Sequence, residues 1–201
     1  MHPNPAFRQT PISDNLAFAA DRGFGTLCVN APAGPLLSHV PFLLDGAGAE
    51  ADLHLVRSNP IVALLKDPQP AVIAVTGPEG YISPDWYGVP DQVPTWNYVA
   101  VHLRGSLALL PDADLRPMLD RLSAEFEARL LPKTPWTSDK MTPGVMERMM
   151  RMIVPCRLTI TDVQGTWKLS QNKPDAARFG AAEGVAALPQ PEGLAPLMRR
   201  A

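Results

Sequence analysis

Apolar and polar residues alternate over several short stretches of the chain, which predicts a protein built mainly from β-strands. Phe24 to Val29 and Leu36 to Leu44 are joined by the turn sequence Asn-Ala-Pro-Ala-Gly-Pro, so we expect a hairpin. Asp52 to Arg57 predicts a third strand, which ends at Ser-Asn-Pro. Ala71 to Thr76 is continuously apolar, as is typical of a strand buried on both faces.

Two further strands are predicted in the second half of the chain. Cys156 to Val163 alternates and predicts the last strand, and Thr95 to Leu110 predicts the longest one, with Gly105 at a bulge or bend. In the longer strand, one face carries Thr95, Asn97, Val99, Val101 and Leu103, and the other carries Trp96, Tyr98, Ala100, His102 and Arg104.

Helical spacing of apolar residues appears between these strands. It predicts helices over 13–22, over 60–66 with Asn59 or Ser58 as the cap, over 112–131, and over 143–152 behind Thr142. The Pro- and Gly-rich segment 77–94 predicts a long loop. Strands joined by short loops, with helices between and at the ends, predict an α+β fold: a small β-barrel with a helical insertion over about 112–152.

Composition and charge narrow the class of protein. The chain has 201 residues, 46% of them hydrophobic and 19% charged, which fits a globular domain. It contains no apolar run long enough to cross a membrane and no secretory signal, so we expect a cytoplasmic protein. Cys28 and Cys156 lie in apolar surroundings and are expected to be buried, reduced thiols. The net charge of −2 lacks the basic excess that nonspecific DNA binding needs.

Two polar clusters in the first third of the chain are candidates for ligand binding. Arg57, Ser58 and Asn59 bring a guanidinium, a hydroxyl and a carboxamide to the start of a predicted helix, where a phosphate could bind. The structural alternative is two caps and a surface charge. Ser38 and His39 interrupt an apolar strand and need polar partners, which a flat heteroaromatic ligand with carbonyls and ring nitrogens, the backbone or water would supply.

Two more clusters lie further along the chain. Trp96, Asn97 and Tyr98, together with the aromatic residues between positions 81 and 87, are typical of a ring-binding pocket or a dimer core. The polar run after Trp167 and Leu169 could equally be a solvated turn. Its members are Lys168, Ser170, Gln171 and Asn172.

Taken together, seven segments resemble the PaiB-type family of FMN-binding negative transcriptional regulators, within the FMN-binding split-barrel class that includes pyridoxamine 5'-phosphate oxidases. The segments occur in the family's order and cover most of residues 1 to 175. They are Pro3-x-Pro5-x-Phe7, Phe24-Gly-Thr-Leu, Ser38-His-Val-Pro-Phe, His54-Leu-Val-Arg-Ser-Asn-Pro, Tyr81-Ile-Ser-Pro-Asp-Trp-Tyr, Pro94-Thr-Trp-Asn-Tyr with Val101-His102, and Lys168-Leu-Ser-Gln-Asn-Lys. Val40, Ser58 and Ile61 depart from the family's pattern.

The resemblance implies a split barrel and a homodimer with FMN at its interface. We expect the barrel domain to cover residues 1–175, followed by a C-terminal tail over 176–201 that is part helical. Carried onto this chain, Ser38, His39 and Pro41 would line the flavin ring, and Arg57, Ser58 and Asn59 would hold the phosphate. The site would be closed by Trp96 and Asn97, or by Lys168, Ser170, Gln171 and Asn172.

Three function classes remain open at this point: a flavin-binding regulator, a flavin-dependent oxidoreductase acting on a small substrate, and a split barrel that binds haem or serves as an interaction module without FMN. No helix-turn-helix is evident, so DNA contact would require a local basic patch on the helical insertion. The alternative for those charges is a solvated helix face. The patch would consist of Arg121, Arg129, Lys133, Lys140, Arg148 and Arg151.

Overall fold

The computed structural model describes residues 1–188 and 193–201. Within them the strands form a closed barrel in the order β1-β2-β3-β6-β5-β4, which confirms the predicted fold class. The strands are β1 (Phe24–Val29), β2 (Leu36–Leu44), β3 (Glu50–Val56), β4 (Gln69–Ile82), β5 (Thr95–Leu109) and β6 (Ile153–Lys168). The α-helices are α1 (Ile12–Arg22), α2 (Pro60–Leu64), α3 (Leu115–Ala128), α4 (Val145–Met150), α5 (Asp175–Ala186) and α6 (Leu194–Arg200).

The predicted hairpin is present, and its register places the polar pair of β2. β1 and β2 pair antiparallel, with Thr26 opposite His39 and Leu27 opposite Ser38. Leu27, Val40 and Phe42 point into the barrel and are buried, whereas His39 lies on the exposed outer face. The alternation therefore separates a packed interior from an outer surface that is available for binding.

Long strands replace part of the predicted loop. β4 continues through Gly77, Pro78 and Gly80 to Ile82, although the local sequence predicts a loop from Gly77 onward. β6 is also longer than predicted at both ends. Barrel pairing extends through residues of low strand propensity, because tertiary context outweighs local preference. Gly105 marks a close approach of strands: a Cβ there would lie 1.9 Å from the Thr159 carbonyl oxygen.

The chain divides into two compact units. The first comprises Met1–Ala19, Val75–His102 and Val163–Ala201, and the second comprises Ala20–Ala74 and Leu103–Asp162. The first unit buries Ile82, Tyr87 and Val99 against α5 and α6. The buried residues of the second unit include Phe42, Leu53 and Ile73.

The observed helices differ in several places from the predicted ones. The segment predicted as a helix over 112–131 begins as a 3₁₀ turn (Asp112–Asp114) and continues as α3. α4 begins after Gly144, and Thr142 does not cap it. The tail over 176–201 contains most of α5 and all of α6, while its residues 189–192 lie outside the described part of the chain. Among the described helices, none has both the length and the apolar content required to cross a bilayer.

Candidate functional site

Ser38 and Asn59 come together at the junction of β2 and α2. The Asn59 Nδ2 donates to the Ser38 Oγ at 3.2 Å. The Asn59 Oδ1 accepts from the Ile61 backbone N–H at 3.0 Å and so caps α2, as the sequence predicts. The Asn59 carboxamide thus uses both its nitrogen and its oxygen in hydrogen bonds, and it links two of the predicted binding segments.

Arg57 is held beside this junction by the backbone. Its Nε donates to the Arg151 carbonyl and its Nη2 to the Ile153 carbonyl, both at 3.1 Å, and Asp112 lies 3.7 Å away. The side chain remains 51% exposed. A guanidinium has five N–H donors, so this anchoring orients Arg57 while leaving donors for an anion. α2 has only five residues, so side chains rather than a helix N-terminus would hold any anion that binds here.

The outer face of the hairpin adds a flat, partly aromatic surface. The rings of His39 and Phe24 are stacked with their centroids 6.5 Å apart and their planes 22° apart. Phe24 is 52% exposed, and Leu37 is exposed on the same face. Pro41 lies opposite Phe24 in the register. Exposed, flat apolar groups with an imidazole among them suit a planar heteroaromatic ring.

A buried polar network forms the second cluster. Asn97 is fully buried on β5, and its Nδ2 donates to the Ser170 Oγ at 2.9 Å. The hydroxyls of Ser170 and Tyr87 are hydrogen-bonded at 3.0 Å. Ser170 follows β6 with a left-handed φ of 65°, a conformation that costs a residue with a Cβ free energy. The strained turn thereby places a hydroxyl where both Asn97 and Tyr87 reach it.

Two lysines border this network. The Lys168 ammonium donates to the Thr95 hydroxyl and, at 2.8 Å, to the Trp96 carbonyl. Lys173 donates to the Gln92 side chain and lies 5.3 Å from the Tyr87 ring centroid. Burial lowers the pKa of Lys168, and the nearby Lys173 charge lowers it further. Among the described residues, no carboxylate forms an ion pair with either lysine.

The structure assembles the predicted site residues as two groups, each within one compact unit. The Arg57 group consists of Ser38, His39, Pro41, Arg57, Ser58 and Asn59, and the Lys168 group consists of Trp96, Asn97, Lys168, Ser170, Gln171 and Asn172.

Individual members of the two groups differ in their surroundings. Ser58 is exposed at the end of β3. Trp96 is 56% exposed and contacts Tyr81 edge to face. Gln171 is occupied within its own turn, where its Oε1 accepts from the Leu169 N–H at 2.8 Å. Asn172 lies exposed on the wall of the cavity that Asn97 also lines.

Sequence reasoning missed three residues at the Lys168 group. Tyr87, Thr95 and Lys173 share its hydrogen bonds or its cavity, yet they lie in segments where only neighbouring residues were selected as site candidates. Tyr87 and Lys173 are the last residues of two segments that resemble the family. Their place in those segments was the one sequence signal that could have identified them as site residues. Their convergence depends on contacts across more than 80 residues of sequence, which no local pattern reveals.

Most of the basic side chains on the helical insertion already have partners. Arg121 donates to the buried Asp52 at 2.7 Å, Arg129 pairs with Glu125 at 2.9 Å, and Lys133 pairs with Glu127. Lys140 donates to the Pro135 carbonyl. These pairs favour a neutralised helix face over an open basic patch.

The two cysteines and the side chains that could bind a metal limit the chemistry that the described residues can carry out. Cys28 and Cys156 are free, as predicted; Cys156 is fully buried and Cys28 partly so. Burial raises the pKa of Cys156 to about 12. In the parts of the chain covered by the structure, no three His, Cys, Asp or Glu side chains cluster in a way that could hold a metal ion.

Known proteins are similar to this chain in sequence and in fold. The family model described as "Putative FMN-binding domain" matches residues 1–162. The protease synthase and sporulation protein PAI 2 of Bacillus subtilis is 28% identical over 169 residues, which are 83% of this chain and 80% of that protein. The FAD and heme binding protein from Mycobacterium smegmatis superposes with a TM-score of 0.59 at 18% identity, covering 89% of this chain and 80% of that one.

A further solved structure shows the same fold. The flavocytochrome Anf3 from Azotobacter vinelandii has a TM-score of 0.51 at 13% identity, over 80% of this chain and 67% of its own. The family match covers most of the chain and all six barrel strands except the last residues of β6. The chain therefore belongs to the FMN-binding domain family and has the split-barrel fold that its sequence segments imply.

Proposed function

We propose that two copies of this chain form a homodimer that holds FMN against the Arg57 group and acts as a negative transcriptional regulator of the PaiB type. The observation that carries the proposal is the Ser38–Asn59 hydrogen bond, which joins the ring-lining segment to the phosphate-binding segment. Membership of the FMN-binding family and similarity to PAI 2 support it.

The donor set of the Arg57 group fits FMN. Arg57 and Ser58 are exposed donors suited to phosphate oxygens, and Arg57 is already oriented by two backbone carbonyls. His39 and Pro41 lie on the outer face beside the Phe24 ring, where a planar ring system could stack. When bound, FMN supplies one- and two-electron redox chemistry, and the protein supplies orientation and charge.

The proposal also names the residues that would cover the bound flavin. The candidates to close the site are Trp96, Asn97 and the residues from Lys168 to Asn172. Trp96 is exposed and aromatic, and Lys168 carries a positive charge without a carboxylate partner among the described residues. Such groups suit the edge of a flavin that becomes negative on reduction.

Reconstitution with FMN tests the cofactor assignment. We expect Arg57→Gln to weaken FMN binding by about 1.5–3 kcal/mol, the size of a charged hydrogen bond. Arg151→Gln is the matched control, because it removes a neighbouring charge but keeps the carbonyl that accepts from Arg57. Equal affinities of wild type and Arg57→Gln in a fluorescence-quenching titration would contradict the assignment.

The dimer and the regulator role need separate measurements. Sedimentation of the FMN-loaded protein should give twice the mass of one 21.8 kDa chain. Regulation predicts retardation of promoter DNA at physiological salt, where nonspecific phosphate contacts are weakened. Turnover of NAD(P)H with an electron acceptor, in the absence of any DNA retardation, would instead favour the oxidoreductase.

A further inference from the structure

We propose that the cavity beside Lys168 binds a small acidic ligand that carries both an anionic group and a hydrogen-bond donor, such as a hydroxy acid or a phosphorylated metabolite. This ligand would be distinct from FMN. The inference rests on the proposed function only in treating the Lys168 group as part of the flavin site.

The cavity is compact, and its lining combines polar side chains with the apolar surfaces of Phe7, Tyr87 and Val93. Its volume is about 190 Å³, below the roughly 300–1,000 Å³ of pockets that enclose drug-sized ligands. It is therefore too small for a whole flavin mononucleotide and suits a small acid. Its walls include Thr95, Asn97, Lys168, Ser170, Asn172 and Lys173.

Positive charge without an internal counter-ion indicates an anion. Lys168 and Lys173 both line the cavity, and none of the described carboxylates pairs with them. Their mutual repulsion and the burial of Lys168 lower the pKa of Lys168. An anion between two ammonium groups would relieve that repulsion and accept the N–H donors that Thr95 and Trp96 do not use.

A buried acceptor without a partner indicates a donor on the same ligand. Asn97 is fully buried and lines the cavity, and its Oδ1 has no hydrogen-bond partner within the structure. Leaving a buried carbonyl-type oxygen unsatisfied costs free energy, so such atoms normally have a partner. Because the Nδ2 of the same amide is fixed by Ser170, the Oδ1 has a defined direction, and an N–H or O–H of a ligand would supply its missing donor.

This chemistry distinguishes two simple probes. Inorganic phosphate near pH 7 carries at least one O–H group, whereas sulfate has the same shape and no donor. We expect calorimetric titration of the protein to show phosphate binding about tenfold or more tighter than sulfate, the effect of one hydrogen bond to a charged group. Equal affinities, or no binding of either anion, would overturn the proposal.

Variants assign the binding to the cavity. Lys173→Met should weaken phosphate binding about tenfold or more, while Lys173→Arg should retain most of it. Lys66→Met is the matched control, since Lys66 is an exposed lysine that does not line the cavity. Asn97→Ala should abolish the preference for phosphate over sulfate without abolishing anion binding. If Asn97→Ala does not fold, the Lys173 variants still decide the outcome.

The last comparison separates this ligand from the cofactor. The titrations are made on both FMN-free and FMN-loaded protein. Phosphate binding in both forms, without release of flavin, supports a separate acidic ligand, and the result in the FMN-free form stands even if the cofactor assignment fails. Release of flavin in proportion to phosphate binding would show that the cavity holds the phosphate of FMN itself and would overturn the proposal.

Discussion

The side chain of Asn59 donates to the Ser38 hydroxyl while its own oxygen caps the first turn of α2. This double use couples a helix cap to the surface where the ring of FMN is proposed to bind. A change at Asn59 should therefore affect stability and cofactor affinity through two separable atoms.

Asn59→Ala should destabilise the protein by about 1 kcal/mol, because the Ile61 N–H loses its cap. It should also weaken FMN binding, because the Ser38 hydroxyl loses the donor that orients it. Asn59→Asp retains a capping oxygen and removes only the donor, so it should bind FMN less well with little loss of stability. Denaturant unfolding and FMN titration of both variants give the measurement, and equal FMN affinity in all three proteins would contradict the coupling.

Gly184 controls how closely α5 approaches Trp86. A Cβ at Gly184 would lie 2.3 Å from the Trp86 Cδ2, so Gly184→Ala should displace Trp86 and destabilise the protein by about 1–3 kcal/mol. Part of that loss is offset by the better helix propensity of alanine. Gly46→Ala, which meets no atom within 4 Å, should be nearly neutral. Thermal unfolding of the two variants tests this, and a stable Gly184→Ala protein would show that the helix can shift at little cost.

Cys156 should be chemically inert in the folded protein. With its pKa raised to about 12 by burial, almost none of the thiol is ionised at pH 8, and the thiolate is the reactive form. In a Cys28→Ser variant, we expect iodoacetamide to label Cys156 only after unfolding. Rapid labelling of the native variant would indicate that this part of the barrel opens frequently.

His54 should make stability depend on pH in the mildly acidic range. Burial lowers the pKa of its imidazole, and its Nδ1 has no partner among the described residues. The unfolded state therefore binds the proton more readily below the ordinary pKa of about 6.5. The free energy of unfolding should fall as the pH decreases from that value toward the lowered pKa. His54→Gln should flatten this part of the profile, and an unchanged slope would assign it to another group.

Asp52 connects the helical insertion to the barrel. It accepts from Arg157 and from Arg121 on α3, each at 2.7 Å, and its side chain is only 10% exposed. Asp52→Asn should cost on the order of 2 kcal/mol, between the values of exposed and fully buried ion pairs. The exposed Arg116–Asp120 pair provides the comparison: Asp120→Asn should cost about 0.5 kcal/mol or less. The free energy of unfolding is measured for both variants by denaturant titration. Similar decreases would show that Asp52 contributes no more to stability than an exposed ion pair does.

Local alternation predicted the strands and their faces because it reflects the barrel's inside and outside. The buried positions of β5 include Asn97, Val99 and Val101, as the sequence pattern indicates. The cap at Asn59 was also predictable, because its Oδ1 accepts from the N–H of the residue two positions further on, whereas its hydrogen bond to Ser38 spans 21 residues and was not predicted. The lengths of the strands were less predictable, because β4 includes Gly77 and Pro78, two residue types that local propensity disfavours in strands.

The polar network was the least predictable part of the site. Ser170 is separated from Asn97 by 73 residues and from Tyr87 by 83, and it requires a left-handed backbone that no glycine announces. Lys168 lies in a run that the sequence alone could place in a solvated turn, and Lys173 was not among the predicted site residues. Only tertiary contacts show that both border a cavity with Asn97. The sequence segments indicated which part of the chain contributes to the Lys168 group, but only the geometry shows which of its atoms lie close enough to act together.

The family match ends at residue 162, whereas the strained serine turn and both C-terminal helices follow it. A fragment trimmed to the matched boundary would keep Asn97 and lose the hydroxyl that fixes its amide. It would also expose Ile82 and Val99, which α5 and α6 cover in the full chain. The residues after the matched region thus furnish one wall of the cavity beside Lys168. A change confined to them would alter that cavity while leaving strands β1 to β5 intact.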